Sequence, residues 1–189
     1  MSRTRLAPQQ RRNQLLDVGA DLFAANAYED VSMSEVAATA GVSRGLVYRY
    51  FPTKRDLFAA IYQRASEQLL EASDLSSNGP IEEQIIAGLD AHFDFFITNA
   101  RTVVEANRGA LAGDPVVQDI INTELAELRR RLLDAAAFEG KARGAASTAL
   151  HGWLAFVRAV SVEWLCNPTM TRDELRDMCL RTLSSSLNQ

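Results

Sequence analysis

Apolar residues in this chain never alternate with polar ones for long enough to build one face of a β-strand. They recur instead at three- and four-residue spacings between helix start and stop signals. A segment with that period cannot bury its apolar residues as a strand, so the pattern commits the chain to an all-α fold. The signals divide it into about nine helices. Pro8 suits the first turn of a helix over about 8–26, with Leu15, Leu22 and Phe23 on one face. Ser32-Met33-Ser34-Glu35 has the S-x-x-E form of a capping box, and Gly41 stops the short helix that follows. Ser43 caps a third helix of about 44–51, which Pro52 ends by restricting the residue before it. Thr53-Lys54-Arg55-Asp56 opens a fourth helix to about 73, with Asp56 favourable to the helix dipole. SDLSSNGP (73–80) reads as a turn or linker. Further helices are predicted near 82–99, 101–111, 115–138, 141–166 and 172–187. Asp114-Pro115 and Thr171-Arg172-Asp173-Glu174 supply start signals, and Gly140 and Asn167-Pro168 mark boundaries.

A chain of 189 residues, 47% of them hydrophobic, is long enough and apolar enough to bury a core in one or two small domains. No apolar run approaches the roughly 18 residues that span a bilayer. The polar start MSRTRLAPQQRRN lacks the apolar stretch of a secretory signal, so a cytoplasmic location is expected. Cys166 and Cys179 are then ordinary thiols rather than a disulfide framework. Charge is uneven along the chain. Residues 1–64 carry nine Lys/Arg against six Asp/Glu, a balance of +3, whereas residues 65–189 carry eleven against eighteen, a balance of −7. The basic N-terminal third points to a polyanion partner.

The segment GVSRGLVYRYF (41–51) sharpens that hint. Short helix, glycine turn and short helix form a helix-turn-helix pattern, whose second helix enters the major groove of DNA. On a helix over 43–51, Val42, Val47 and Phe51 face inward with Val36 and Ala37, while Arg44, Gly45, Tyr48 and Arg49 gather on the other side. Arg44 and Arg49 can hydrogen-bond phosphate or guanine, and the Tyr48 and Tyr50 hydroxyls can meet phosphate oxygens. Gly45 lets the helix backbone approach a base pair, or is simply tolerated. Leu46 is expected to be exposed, either to pack on a thymine methyl or as a stray surface leucine. Arg11 and Arg12 lie in the first turn of helix one, where the dipole disfavours cations and a phosphate would favour them. Arg3 and Arg5 lie on an N-terminal arm that either reaches a minor groove or only aids solubility. Lys54 opens helix four near where a phosphate would lie.

VSMSEVAATAGVSRGLVYRYFPTKRDLF (31–58) resembles the DNA-binding domain of the TetR family of bacterial transcriptional regulators. The family pattern is carried here by Ser32, Val36-Ala37, Ala40-Gly41-Val42-Ser43, Gly45, Val47-Tyr48, Tyr50-Phe51 and Lys54, and with helix one it covers about residues 10–60. The expected DNA-contacting set is Ser32, Ser34, Ser43, Arg44, Gly45, Leu46, Tyr48, Arg49, Tyr50 and Lys54. One position departs from the pattern. The family commonly has Gly where Ala27 stands in Asn26-Ala27-Tyr28, so either Ala27 or Asn26 is left-handed or the turn differs. The resemblance implies a homodimer with a DNA-binding domain over 1–52, helix four (53–73) as hinge, and a ligand-binding and dimerisation domain over 74–189. It also implies that the last two helices of each subunit pair with those of the other.

Two C-terminal readings follow. Helix 141–166 carries an apolar surface wider than one core stripe, and helix 172–187 carries a matching one. A helix apolar on two sides needs a second partner, so Trp153, Phe156, Val157, Val160, Trp164, Met178 and Leu183 are expected at a dimer interface. A small-molecule site is expected among apolar residues interrupted by a few polar ones: His92, Phe93, Phe96, Val104, Asn107, Arg108, Ile121 and Trp153. The same residues also describe an ordinary helical core, and His92 is either a ligand contact or a satisfied core histidine. The cavity's apolar character favours a hydrophobic or amphipathic ligand, whose binding would release the dimer from a palindromic operator. An activator, or a regulator switched by a partner protein, is the alternative. No phosphate-binding loop, catalytic constellation or metal-ligand spacing is present in the sequence, so no enzyme activity, cofactor or metal is expected.

Overall fold

A computed structural model describes residues 6–73 and 79–187, so the arm with Arg3 and Arg5 and residues 74–78 of the expected linker lie outside the described residues. The described residues contain nine α-helices and no strand. They are α1 (Pro8–Ala25), α2 (Met33–Thr39), α3 (Arg44–Tyr50), α4 (Lys54–Ala72), α5 (Ile81–Thr98), α6 (Ala100–Arg108), α7 (Pro115–Ala135), α8 (Gly140–Cys166) and α9 (Arg172–Leu187). Two compact units emerge, Met1–Ala65 and Ser66–Gln189, with the boundary inside α4.

The predicted caps explain where these helices begin. Ser32 Oγ accepts a hydrogen bond from the Glu35 amide at 3.1 Å, and Ser43 Oγ accepts one from the Leu46 amide at 3.3 Å. Thr53 and Asp56 form a reciprocal box, with Thr53 N–H donating to Asp56 at 3.0 Å and Asp56 N–H donating to Thr53 Oγ1 at 3.1 Å. Thr171 and Glu174 repeat it ahead of α9. Asp114 Oδ1 accepts from the amides of both Val116 and Val117.

Three helix ends depart from the sequence reading or resolve it. Asn26 is extended (φ −125°), and no non-glycine residue around Ala27 is left-handed, so the turn after α1 differs from the family's glycine turn. Asn26 instead folds its side-chain amide back onto Leu22 O at 3.0 Å, closing α1 without a positive φ. Helix α6 ends at Arg108 rather than near 111, because Gly109 caps it and residues to Asp114 turn. Helix α7 ends at Ala135 rather than 138, since Ala137 adopts φ +52°. There Phe138 N–H returns to Leu133 O and Ala137 N–H to Asp134 O, the bond pair of a Schellman cap.

In the N-terminal unit α1, α2, α3 and the start of α4 share one core of Leu15, Leu16, Phe23, Val36, Val47, Phe51, Leu57 and Phe58, each at most 2% exposed. Helix α1 approaches α4 through Gly19, where a Cβ would lie 2.8 Å from Ile61 Cδ1. Phe23, Tyr28 and Phe58 pack ring against ring at 5.2–5.8 Å between centroids. In the C-terminal unit α8 packs against α5, α6, α7 and α9. Its apolar residues join Leu89 and Phe93 of α5, Leu132 and Leu133 of α7, and Leu175, Cys179 and Leu183 of α9 in one core.

Candidate functional site

Two regions bear on function, one in each unit. In the first, α2 ends in a second Schellman cap. Gly41 is left-handed (φ +64°), Val42 N–H donates to Ala37 O at 2.9 Å, and Gly41 N–H donates to Ala38 O at 3.1 Å. This sharp reversal sets α3 at an angle to α2. A rotation of about 100° per residue then sorts the α3 side chains around the buried Val47. Arg44, Gly45, Tyr48 and Arg49 are exposed together, as are Ser32, Ser34 and Ser43. Leu46 and Tyr50 flank the inward face and are half-buried, so Leu46 is less exposed than the sequence suggested. Nothing lies within 4 Å of a Cβ built on Gly45, so packing within the chain does not require glycine there.

The remaining basic residues are partly occupied. The Arg12 guanidinium lies over the Phe51 ring at 5.4 Å from its centroid, and Arg11 bonds Gln14. Lys54 differs from the other DNA-contacting candidates. Its ammonium donates to Tyr28 O at 2.7 Å and Glu29 O at 3.1 Å, and sits 4.5 Å from the Tyr28 ring centroid. It therefore ties the α1–α2 connection to α4, with one of its three N–H donors left after the two carbonyls.

In the C-terminal unit a small, partly open cavity, with a volume of about 50 Å³, is lined by Ser73, Ile85, Gly88, Leu89, His92, Leu128, Leu132, Trp153, Leu154 and Val157. Of the residues expected to bind a ligand, His92 and Trp153 lie on this wall. Phe93 and Phe96 are fully buried beside it, and Val104 is half-buried on α6. Asn107, Arg108 and Ile121 line a separate surface groove between α6, α7 and α8. Arg108 is held there by Glu163, with Nη2 at 2.6 Å from the carboxylate. Ile85, Leu128 and Leu154 were missed because nothing in their periodicity separates a cavity wall from a packed core.

His92 is a core histidine with a defined partner. Its Nε2 lies 3.2 Å from Ser161 Oγ, and its ring is 4.0 Å from the Phe96 centroid. Burial first, and the Arg158 charge second, push its pKa down to about 3, so the ring is neutral at neutral pH. Behind it stands an ion pair absent from the sequence reading. Arg158 Nη1 meets Glu124 Oε1 at 3.0 Å and Arg158 Nε donates to Asn107 Oδ1 at 2.9 Å, with Glu124 1% and Arg158 5% exposed. A signal for this pair was present. Glu124 occupies a core-facing position in the series Val117, Ile121, Glu124, Leu128, and Arg158 does so beside Leu154 and Val157.

The residues expected at a dimer interface divide. Trp153, Val157 and Leu183 are buried within the chain's own core, and the Trp153 indole N–H donates to Cys179 O at 2.8 Å. Phe156, Val160, Trp164 and Met178 pack at the edge of that core and are half-buried. His151 is exposed. No described group of His, Cys, Asp or Glu could hold a metal ion, and no described helix is long and apolar enough to cross a membrane.

Known proteins with these features are regulators. The profile of the family described as "Bacterial regulatory proteins, tetR family" matches residues 15–61. The HTH-type transcriptional activator FasR of Mycolicibacterium smegmatis is 32% identical over 93 residues, which cover 48% of this chain and 42% of that protein. The chain thus spans less than half the length of that relative. The HTH-type transcriptional repressor KstR2 of Rhodococcus jostii is 26% identical over 150 residues, covering 70% of this chain and 68% of that one. The crystal structure of a tetR-family transcriptional regulator from Streptomyces coelicolor superposes with a TM-score of 0.85 at 25% identity, covering 96% of this chain and 82% of the other.

Proposed function

This chain belongs to the TetR family of bacterial regulatory proteins, and from that premise we propose that it is a transcriptional repressor that a small molecule releases from DNA. It binds a palindromic operator as a homodimer. The observation that carries the reading is the division of α3. Val47 is wholly buried in the N-terminal core, while Arg44, Tyr48 and Arg49 stand on the opposite, exposed side around a glycine that packing does not demand. Arginine and tyrosine on a short helix held by two neighbours suit phosphate and base-edge contacts in a major groove. Residues 1–52 carry this activity, and residues 74–189 carry ligand binding and dimerisation. Helix α4, whose residues belong to both units, carries the shift between them. A ligand that favours the DNA-free form by about 5 kcal/mol moves occupancy from nearly full to nearly empty. Its place of action is the cytoplasm.

An activator is the second reading, since FasR is named as one and the α3 surface serves either sign of regulation. The test is selection of bound fragments from the source genome by purified protein at about 0.15 M salt, which suppresses phosphate-only binding. Recovery of one palindrome supports the dimeric reader. Its position relative to a promoter separates repressor from activator. Recovery of nothing above background by protein refolded free of ligand would overturn the assignment of α3.

A further inference from the structure

We propose that the C-terminal cavity takes an uncharged lipophilic molecule whose head is a hydrogen-bond donor, received by Nδ1 of His92. The inference rests on reading the cavity as the regulator's ligand site.

The donor–acceptor logic follows from three groups. Ser161 Oγ lies 2.7 Å from Val157 O, a carbonyl that can only accept, so the hydroxyl's single hydrogen is directed there. Facing that same oxygen at 3.2 Å, His92 Nε2 must then be the donor. A neutral imidazole carries one N–H, which leaves Nδ1 with a lone pair. Among the described residues Nδ1 forms no hydrogen bond, and His92, 8% exposed, lies on the cavity wall. An acceptor in that position lacks a donor, and a ligand can bring one.

The rest of the wall sets the ligand's other properties. Ile85, Leu89, Leu128, Leu154 and Val157 are aliphatic, and Trp153 offers only its ring because its N–H is directed to Cys179 O. Ser73 is the other polar side chain among the described residues of the wall. Among the described residues no cation lines the cavity: Arg158 lies outside it, and its charge is matched by Glu124. A carboxylate in this cavity would be a buried anion with no counter-charge, which is strongly unfavourable. An ether would set its lone pairs against that of Nδ1. An alcohol, or another neutral group with an O–H or N–H, satisfies it.

The experiment compares three probes on the full chain at neutral pH: hexan-1-ol, its donor-free isostere 1-methoxypentane, and hexanoate. Dissociation constants are read by ligand-observed NMR. The alcohol is expected to bind about tenfold more tightly than the ether, with hexanoate weakest. The alcohol-over-ether preference should fall to within about twofold in His92→Phe, where Ser161 keeps its bond to Val157 and no group is orphaned. Should that variant fail to fold, Ser161→Ala serves instead. It frees the ring to exchange tautomers, so the preference should shrink without loss of the cavity. Equal binding of alcohol and ether, or tighter binding of hexanoate, would overturn this inference and leave the cavity standing as a ligand site. If none of the three binds, or if Leu128→Trp, which fills the cavity, leaves their binding unchanged, the cavity reading itself falls.

Discussion

Arg158 of α8 and Glu124 of α7 meet at 3.0 Å with their side chains 6% and 0% exposed, a charged pair set inside the C-terminal helical unit. Asn107 accepts from Arg158, and the Phe96 ring lies 5.6 Å beneath the guanidinium carbon. Glu124 Oε2 has no partner among the described residues. Such a pair contributes little net stability, because two desolvation penalties oppose its attraction, but each partner depends on the other. Glu124→Leu or Arg158→Met alone should lower stability by roughly 3–5 kcal/mol in urea unfolding. The double variant should recover most of the loss, and a purely additive result would refute mutual dependence of the pair.

His92 makes stability depend on pH. Its folded pKa of about 3 lies below the unfolded value of 6.5, so the unfolded chain binds the extra proton between them. The contribution is complete above pH 6.5 and is lost as pH falls towards 3. Urea unfolding at successive pH values should show a slope of up to about 1.4 kcal/mol per unit in that window. His92→Phe should remove this share of the slope, and an unchanged slope would mean that other groups carry it.

Ala137 holds φ +52° at the end of α7, a conformation that disfavours a Cβ by roughly 1–2 kcal/mol. Glycine relieves that strain but adds freedom to the unfolded chain. Ala137→Gly should therefore stabilise the protein by about 0.5–1 kcal/mol. A lower melting temperature would show that the methyl group makes a contact outweighing its strain.

A substitution at Gly45 separates folding from the proposed DNA reading. A Cβ there meets nothing within 4 Å, and Ala is the better helix former by about 1 kcal/mol. Gly45→Ala should thus unfold at a higher temperature. Under the proposed function the added methyl stands between helix backbone and base pair, and operator affinity should fall about tenfold in a titration at fixed salt. Undiminished affinity would mean that the glycine is merely tolerated.

Arg44→Ala removes an exposed guanidinium from the proposed reading face without touching Val47 or Phe51. Stability should change by less than about 0.5 kcal/mol, while operator binding weakens by about 1–3 kcal/mol. Retained affinity in the folded variant would refute the assignment of Arg44.

Local chemistry determined much of this protein from sequence alone. Ser32, Ser43, Thr53, Asp114 and Thr171 cap helices where they were expected, because a side-chain oxygen reaches an amide two or three residues ahead whatever the rest of the chain does. The all-helical fold and the two faces of α3 follow from the same short-range periodicity. Tertiary structure alone decided the rest. It buried Trp153 in the chain's own core, divided Arg108 and Asn107 from His92, engaged Lys54 with Tyr28 O, and paired Arg158 with Glu124 across 34 residues. A wide apolar surface on α8 is compatible with an internal neighbour as well as a partner subunit, and periodicity does not distinguish them. The physical reason is range. Caps and helical periods are set by residues within one or two turns. Which side chains share a cavity, an ion pair or a core depends on how whole helices cross, a choice made by all their contacts together.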